Sequence, residues 1–248
     1  MDVAKIESFL QDFRTFDEEN RRRRRTLDAE NHRRRLSELD SYLEQLGGIL
    51  KHLRAMATEQ NRLCAPHFNV FHLLGIERKE ALLHTKLLAA LLNPKGSHGQ
   101  GFLFLKLFFD VAKRAGLIVP PQPVEQDHWM IRREVSAGAG NRLDLLIESR
   151  PLRYIAVIEN KIGAGERENQ LSDYGEWMEA YRRNYQNRQL VFLTIDGQMP
   201  TTAGKFTTVC LSYQNDITDW LNDCAKSVNA TPVKAILNQY LAVIEDLT

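Results

Sequence analysis

The sequence predicts an α/β fold: a mixed central sheet flanked by helices, preceded by a helical arm. Three observations carry this. Residues 1–65 contain no strand-like segment. From residue 129 the apolar pattern changes from a helical period to short alternating or wholly apolar runs. The run LVFLTI at 190–195 follows a helical stretch, as a buried strand reached by a crossover would.

In the arm, Ile6, Phe9, Leu10, Phe13 and Phe16 recur at three- and four-residue spacing and make one apolar stripe. Leu36, Leu39, Leu43, Leu46, Leu50, Leu53 and Met56 make a second, close to a heptad seam, weakened locally by Gly47-Gly48. Two helices are therefore expected over residues 1–65. The seam then packs against the first helix folded back as a hairpin, against the rest of the chain, or against a second subunit. Pro66 marks the boundary of a domain covering 66–248.

Within that domain a helix is expected over 78–92, stopped by Asn93-Pro94, and a second over 102–115, ended by Gly116. Pro120-Pro121-Gln122-Pro123 reads as a rigid connector. Strands follow at 129–136, 142–148 and 154–160, with AGAGN turning the first hairpin and Ser149-Arg150-Pro151-Leu152 the second. A helix over 166–183, strands at 190–195 and 207–211, and helices over 216–225 and 232–247 complete the order. The sheet is antiparallel at first and parallel after the crossover.

Composition narrows the functions. A hydrophobic fraction of 43% and a charged fraction of 26% are those of a soluble globular chain. The richest apolar stretch, 102–109, is interrupted by Lys106 and falls short of a membrane span. The opening MDVAKIESFL does not read as a signal peptide. Three scattered cysteines argue against a disulfide framework and for a reducing cytoplasm. The net charge of +1 is unevenly spread: Arg21, Arg22, Arg23, Arg24, Arg25 and Arg33 to Arg35 face only Asp28 and Glu30, a local balance of +6. This block either contacts phosphates or forms a solvated helix face. No GxxxxGK[ST] loop, GxSxG elbow or HExxH pair occurs, and His84 and His98 lack a third zinc ligand at readable spacing.

The densest chemistry is Asp144 with Glu159-Asn160-Lys161. Residues two apart on a strand share a face, so Glu159 and Lys161 point the same way. Asp144 lies on the neighbouring strand, on the opposite face from Leu145 and Ile147. Buried charges are paired or hold a metal. Two carboxylates with a backbone carbonyl suit Mg²⁺ or Mn²⁺, beside a lysine able to orient water and stabilise a phosphate. The competing reading is a salt bridge on an exposed sheet face.

The segments RLDLLIE, YIAVIENKIGAG and ENQLSDY, in that order, resemble the PD-(D/E)XK phosphodiesterase superfamily. The upstream text FNVFHLLGIERKEALLHTKLLAALLNPKGSHGQGFLFLKLFF resembles a bacterial branch of it. The resemblance spans about residue 67 to the C-terminus and omits the arm. It implies a restriction-endonuclease-like core in which Asp144 and Glu159 bind metal, Lys161 is the signature lysine, and Asn160 lends its carbonyl. Gln170 matches a glutamine on the following helix, near substrate phosphate or the site's water, with Tyr174 one turn on as a candidate substrate contact. Leu143 stands where the superfamily's name has proline.

The resemblance also bears on other positions. Glu134 is a candidate extra metal ligand, or a partner of Arg132, Arg133 or Arg142. Glu80 and His84 share a helix face, with His84 a candidate metal ligand and Glu80 a substrate contact. His98, in GSHGQG, either binds phosphate or caps a helix. The implied activity is Mg²⁺- or Mn²⁺-dependent hydrolysis of phosphodiesters, DNA before RNA, in antiviral defence or repair. Two other readings stay open: a protein that keeps the fold and binds or regulates without cutting, and an assembly protein acting through residues 36–56 as a homo-oligomer.

Overall fold

The computed structural model describes residues 3–65, 67–120, 124–126, 128–138, 140–181 and 183–247, without the side chains of residues 3–8, 126 and 181. Pro66, Pro121-Gln122-Pro123 of the connector, Ala139 of the hairpin turn and the side chain of Ile6 therefore lie outside the described residues. The chain divides into two compact units, Met1–His67 and Phe68–Thr248.

The first unit is a single helix, α1 (Val3–Cys64), about 93 Å long at 1.5 Å per residue. The two helices expected here are one. No proline interrupts it, its arginines, leucines and glutamates are good helix formers, and Gly47-Gly48 stay inside it. The leucine seam is therefore not covered by a hairpin. Of the described α1 side chains, all but Asp17 and Asn20 are exposed.

In the second unit, α2 (Val70–Leu73) is a single turn capped by Asn69, whose side chain accepts from the Phe71 N–H at 3.0 Å. The helix expected over 78–92 begins as a π-helical turn, Glu80–His84, and continues as α3 (Thr85–Leu92). α4 (Leu103–Arg114) ends as expected, with Gly116 at φ +97°. The sheet follows: β1 (Trp129–Gly138), β2 (Asn141–Ser149), β3 (Tyr154–Asn160), then β4 (Asn187–Thr194) and β5 (Thr208–Ser212) across the crossover helix α5 (Gln170–Tyr181). A π-helical turn, Tyr213–Ile217, leads into α6 (Thr218–Ser227), and α7 (Thr231–Glu245) closes the unit. The strand order is β1-β2-β3-β4-β5, antiparallel through β3 and parallel beyond it.

The period-two alternation of β3 sorts the core into two layers. Ile155 and Val157 face Leu171, Tyr174, Trp177 and Met178 of α5. Tyr154, Ala156 and Ile158 face the larger layer built from α3, α4, α6 and α7. Glu159 shares the parity of Ile155 and Val157, so it stands on the α5 side at the end of its strand. No helix among the described residues is long and apolar enough to cross a membrane.

Candidate active site

The ladder between β2 and β3 begins at Leu145 and Ile158, so Asp144 stands just beyond the last paired rung. Its Oδ2 accepts the Asn160 N–H at 2.9 Å, which ties the strand ends together across that gap. Glu159 still lies in register with Phe192 of β4 and is fully buried. Lys161 follows β3 directly; its N–H donates to the Leu193 carbonyl at 2.8 Å, continuing the parallel pairing. Asp144, Glu159, Lys161 and Gln170 line one cleft of about 460 Å³ with Arg78, Lys79 and Glu80.

Lys161 Nζ lies 2.9 Å from Glu159 Oε1, and the Gln170 amide donates to the same oxygen at 2.6 Å. Gln170 is itself held, since its Oε1 accepts the Arg167 N–H at 3.0 Å. Tyr174 accepts from the Gln170 amide at 3.2 Å and donates to the Arg142 carbonyl at 2.6 Å. It thus steadies Gln170 and β2 from behind. Glu159 Oε2 is buried and has no hydrogen-bond partner among the described residues.

Electrostatics follow from this crowding. Burial and the neighbouring Asp144 carboxylate push Glu159 up to about 7, against the pull of Lys161. Burial also raises Asp144, opposed by the Asn160 N–H and Lys161. Burial alone would lower Lys161, but Glu159, Glu80 and Asp144 together raise it, so it stays an ammonium.

The donor chemistry fits a hard divalent cation. An unpartnered buried carboxylate oxygen beside a second carboxylate needs positive charge, and one ammonium does not balance two acids. Among the described residues no three His, Cys, Asp or Glu side chains gather into a metal cage. Further donors would have to be backbone or solvent oxygens. The Asn160 side chain is committed elsewhere, donating to Thr85 Oγ1 at 3.0 Å and accepting from the Tyr213 hydroxyl at 2.8 Å. Its backbone carbonyl is what it has to offer.

Other expected residues lie elsewhere. His84 is fully buried, one ring nitrogen 2.8 Å from the Tyr240 hydroxyl and the other 2.8 Å from the Glu77 carbonyl. Neither nitrogen is left for an ion, so the metal role expected of it is corrected to one in the core. Burial holds its pKa below the ordinary histidine value. His98 is a loop residue away from the cleft: Nε2 bonds the Asn93 carbonyl at 2.8 Å, and Nδ1 accepts the Gln100 N–H at 3.0 Å. That corrects the phosphate contact expected of it. Glu134 falls between the Arg133–Leu145 and Val135–Leu143 rungs with φ +51°; its carboxylate lies 3.8 Å from the Arg142 guanidinium and does not line the cleft, though it is close enough to Asp144 to raise that acid's pKa. Tyr174 is buried behind Gln170 rather than open to substrate. Arg21 to Arg25 are exposed on α1.

Glu80 has a structural task that spacing did not reveal. Its Oε2 accepts the N–H groups of Ile162, Gly163 (3.2 Å) and Ala164 (3.5 Å), binding the π-helical turn to the loop after Lys161. Arg78 and Lys79 were also passed over as cleft residues. The charged run Glu77-Arg78-Lys79-Glu80 at the start of a helix was the available signal.

Two acids and a lysine at the end of adjacent strands in a mixed, helix-flanked sheet define an α/β restriction-endonuclease-like fold. A family model of the PD-(D/E)XK nuclease superfamily matches residues 68–242. The chain belongs to that superfamily. No curated protein and no solved structure gave a significant match.

Proposed function

We propose that this protein is a metal-dependent nuclease that hydrolyses phosphodiester bonds, with DNA as the expected substrate. The observation that carries the reading is the bare, buried Oε2 of Glu159 in a cleft that also holds Asp144 and Lys161. Asp144, Glu159 and the Asn160 carbonyl would hold Mg²⁺ or Mn²⁺. When bound, the ion would polarise the scissile phosphate and lower the pKa of an attacking water. Lys161, kept as an ammonium against Glu159, meets the charge that builds on the phosphate oxygens and orders the water. Gln170 holds Glu159 in place. Arg78 and Lys79 line the entrance with positive charge for the neighbouring phosphates. Glu134 would join the acids only by leaving Arg142. The arm, residues 1–65, would track the nucleic-acid backbone through Arg21 to Arg25. A role in defence against foreign DNA or in repair, inside the cytoplasm, is the setting this chemistry serves.

The test is incubation of the full chain with plasmid, linear and single-stranded DNA and with RNA, in Mg²⁺, Mn²⁺ or EDTA. Metal-dependent cleavage is expected, reduced at least about a hundredfold in Asp144→Ala and Lys161→Ala while both stay folded. Equal cleavage by all three proteins overturns the assignment of the site. Binding without cleavage in either metal points instead to a silent nucleic-acid-binding or regulatory protein on the same fold.

A further inference from the structure

The loop that carries Lys161 separates two clefts. The second is lined by Thr194, Asp196, Gln198 and Gln214, and shares Lys161, Gly163 and Ala164 with the candidate active site. Its volume is about 520 Å³, inside the roughly 300–1,000 Å³ typical of small-molecule sites. The wall between the clefts is low. At Gly163 and at Gly165 no atom of a described residue lies within 4 Å of where a Cβ would stand, so the wall presents bare backbone to open space there.

The two clefts differ in chemistry. The first holds Arg78, Lys79 and Lys161 around its acids. Beyond the shared loop the second has no cation and carries Asp196, which repels a phosphate. What it presents instead is two carboxamides. The backbone N–H of Gln198 is fixed by Thr194 Oγ1 at 3.1 Å and Asp196 Oδ1 at 3.2 Å, and that of Gln214 by the Ile195 carbonyl at 3.0 Å. Both side chains are exposed and make no hydrogen bond to a described residue. A carboxamide sets a donor beside an acceptor, the pairing that matches the edge of a nucleobase.

We infer that this second cleft receives the unpaired base of the nucleotide next to the scissile phosphate, with Gln198 and Gln214 as its base contacts. The inference rests on the hydrolytic reading of the first cleft and adds a specificity site to it. The backbone crosses the glycine wall, the phosphate faces Lys161, and the base turns toward Gln198 and Gln214.

The full chain is titrated in EDTA with a fluorescent oligodeoxythymidine and with an abasic oligomer of the same length and charge. The wild type is expected to favour the thymidine oligomer by about tenfold, and the Gln198→Ala/Gln214→Ala double variant by about twofold or less. Affinity for the abasic oligomer stays the same in both, because phosphate contacts are untouched. A wild type that binds both oligomers equally, or a double variant that keeps the full preference, overturns the base site. Cleavage of the thymidine oligomer in Mg²⁺ and Mn²⁺ is measured alongside. Cutting without base discrimination defeats the base site alone. Discrimination without cutting defeats the hydrolytic reading and leaves the base site in place.

Discussion

Lys161 and Glu159 meet through one oxygen: the ammonium lies 2.9 Å from Oε1, where the Gln170 amide also donates, and Oε2 is left buried and bare. The carboxylate is thereby polarised into a satisfied side and an unsatisfied one. A proton or a cation can satisfy the second, and the two compete for it.

That competition gives a pH signature. Folding raises Glu159 from an ordinary 4.5 to about 7, so the folded state binds its proton more tightly than the unfolded state does. Stability from this group is complete below pH 4.5 and falls as pH rises through 7, a loss of roughly 3 kcal/mol. In EDTA, the urea midpoint of the wild type relative to Glu159→Gln should therefore drop between about pH 5 and about pH 8. Added Mn²⁺ should restore the wild type at the higher pH and leave the variant unmoved. A difference between the two proteins that does not vary with pH would show that ionising Glu159 costs the fold nothing.

Gln170 works through Glu159. Its amide donates at 2.6 Å, and the Arg167 N–H and Tyr174 hydroxyl fix its orientation. Gln170→Ala is expected to weaken metal affinity or cleavage about 10- to 100-fold, and Tyr174→Phe less. Calorimetric titration with Mn²⁺ separates affinity from rate. Wild-type values for both quantities in Gln170→Ala would show that the glutamine is only packing.

Much of this was legible in the sequence. Strand parity alone put Glu159 and Lys161 on one face, and the turn and cap residues placed the hairpins and the end of α4. The metal role of His84 failed because spacing along a helix says which side chains are neighbours, not which way the helix faces. Glu80 and His84 are one turn apart, yet Glu80 turns to the signature loop and His84 to Tyr240. Glu134 lies near enough to Asp144 to raise its pKa, but its nearest cation is Arg142 at 3.8 Å and it does not line the cleft, an arrangement strand spacing does not reveal. The arm was split in two because amphipathic stripes out of phase look like separate helices, although nothing in the chain stops the first one.

Glu80 sets the loop after Lys161. Removing its carboxylate frees the three N–H groups of residues 162–164 and with them the position of the lysine. Glu80→Ala should raise hydrogen exchange at Gly163 and Ala164 by about tenfold or more and slow cleavage, without a change in fold. Unaltered exchange at those amides would mean that the loop holds itself.

His84 gives the opposite pattern. Both ring nitrogens satisfy buried groups, and Tyr213 and Tyr240 stack around the ring at 5.5 and 5.6 Å between centroids. His84→Ala leaves a cavity and takes a hydrogen-bond partner from both the Tyr240 hydroxyl and the Glu77 carbonyl, at a cost of about 3 kcal/mol. Chemical denaturation should show that loss. Mn²⁺ affinity, measured where the variant is still folded, should match the wild type. A drop in affinity without a drop in stability would return His84 to the ion.

On α1 the stripe Leu36, Leu39, Leu43, Leu46, Leu50 and Leu53 is 47–56% exposed along its length. Helices in proteins draw most of their stability from packing an apolar face, and Gly47-Gly48 cost about 1 kcal/mol each, so this exposed seam calls for a partner. A second copy fits. With Leu36 and Leu39 at the a and d positions, Arg35 takes g and Asp40 the following e, so a parallel pair sets each Arg35 beside the other copy's Asp40. The same alignment brings the Arg21 to Arg25 blocks side by side, and their repulsion makes association tighten as salt is added. Sedimentation at rising salt should show a two-chain particle for the wild type and one chain for Leu43→Asp/Leu50→Asp. A wild type that stays a single chain at every salt concentration would leave the seam to some other partner.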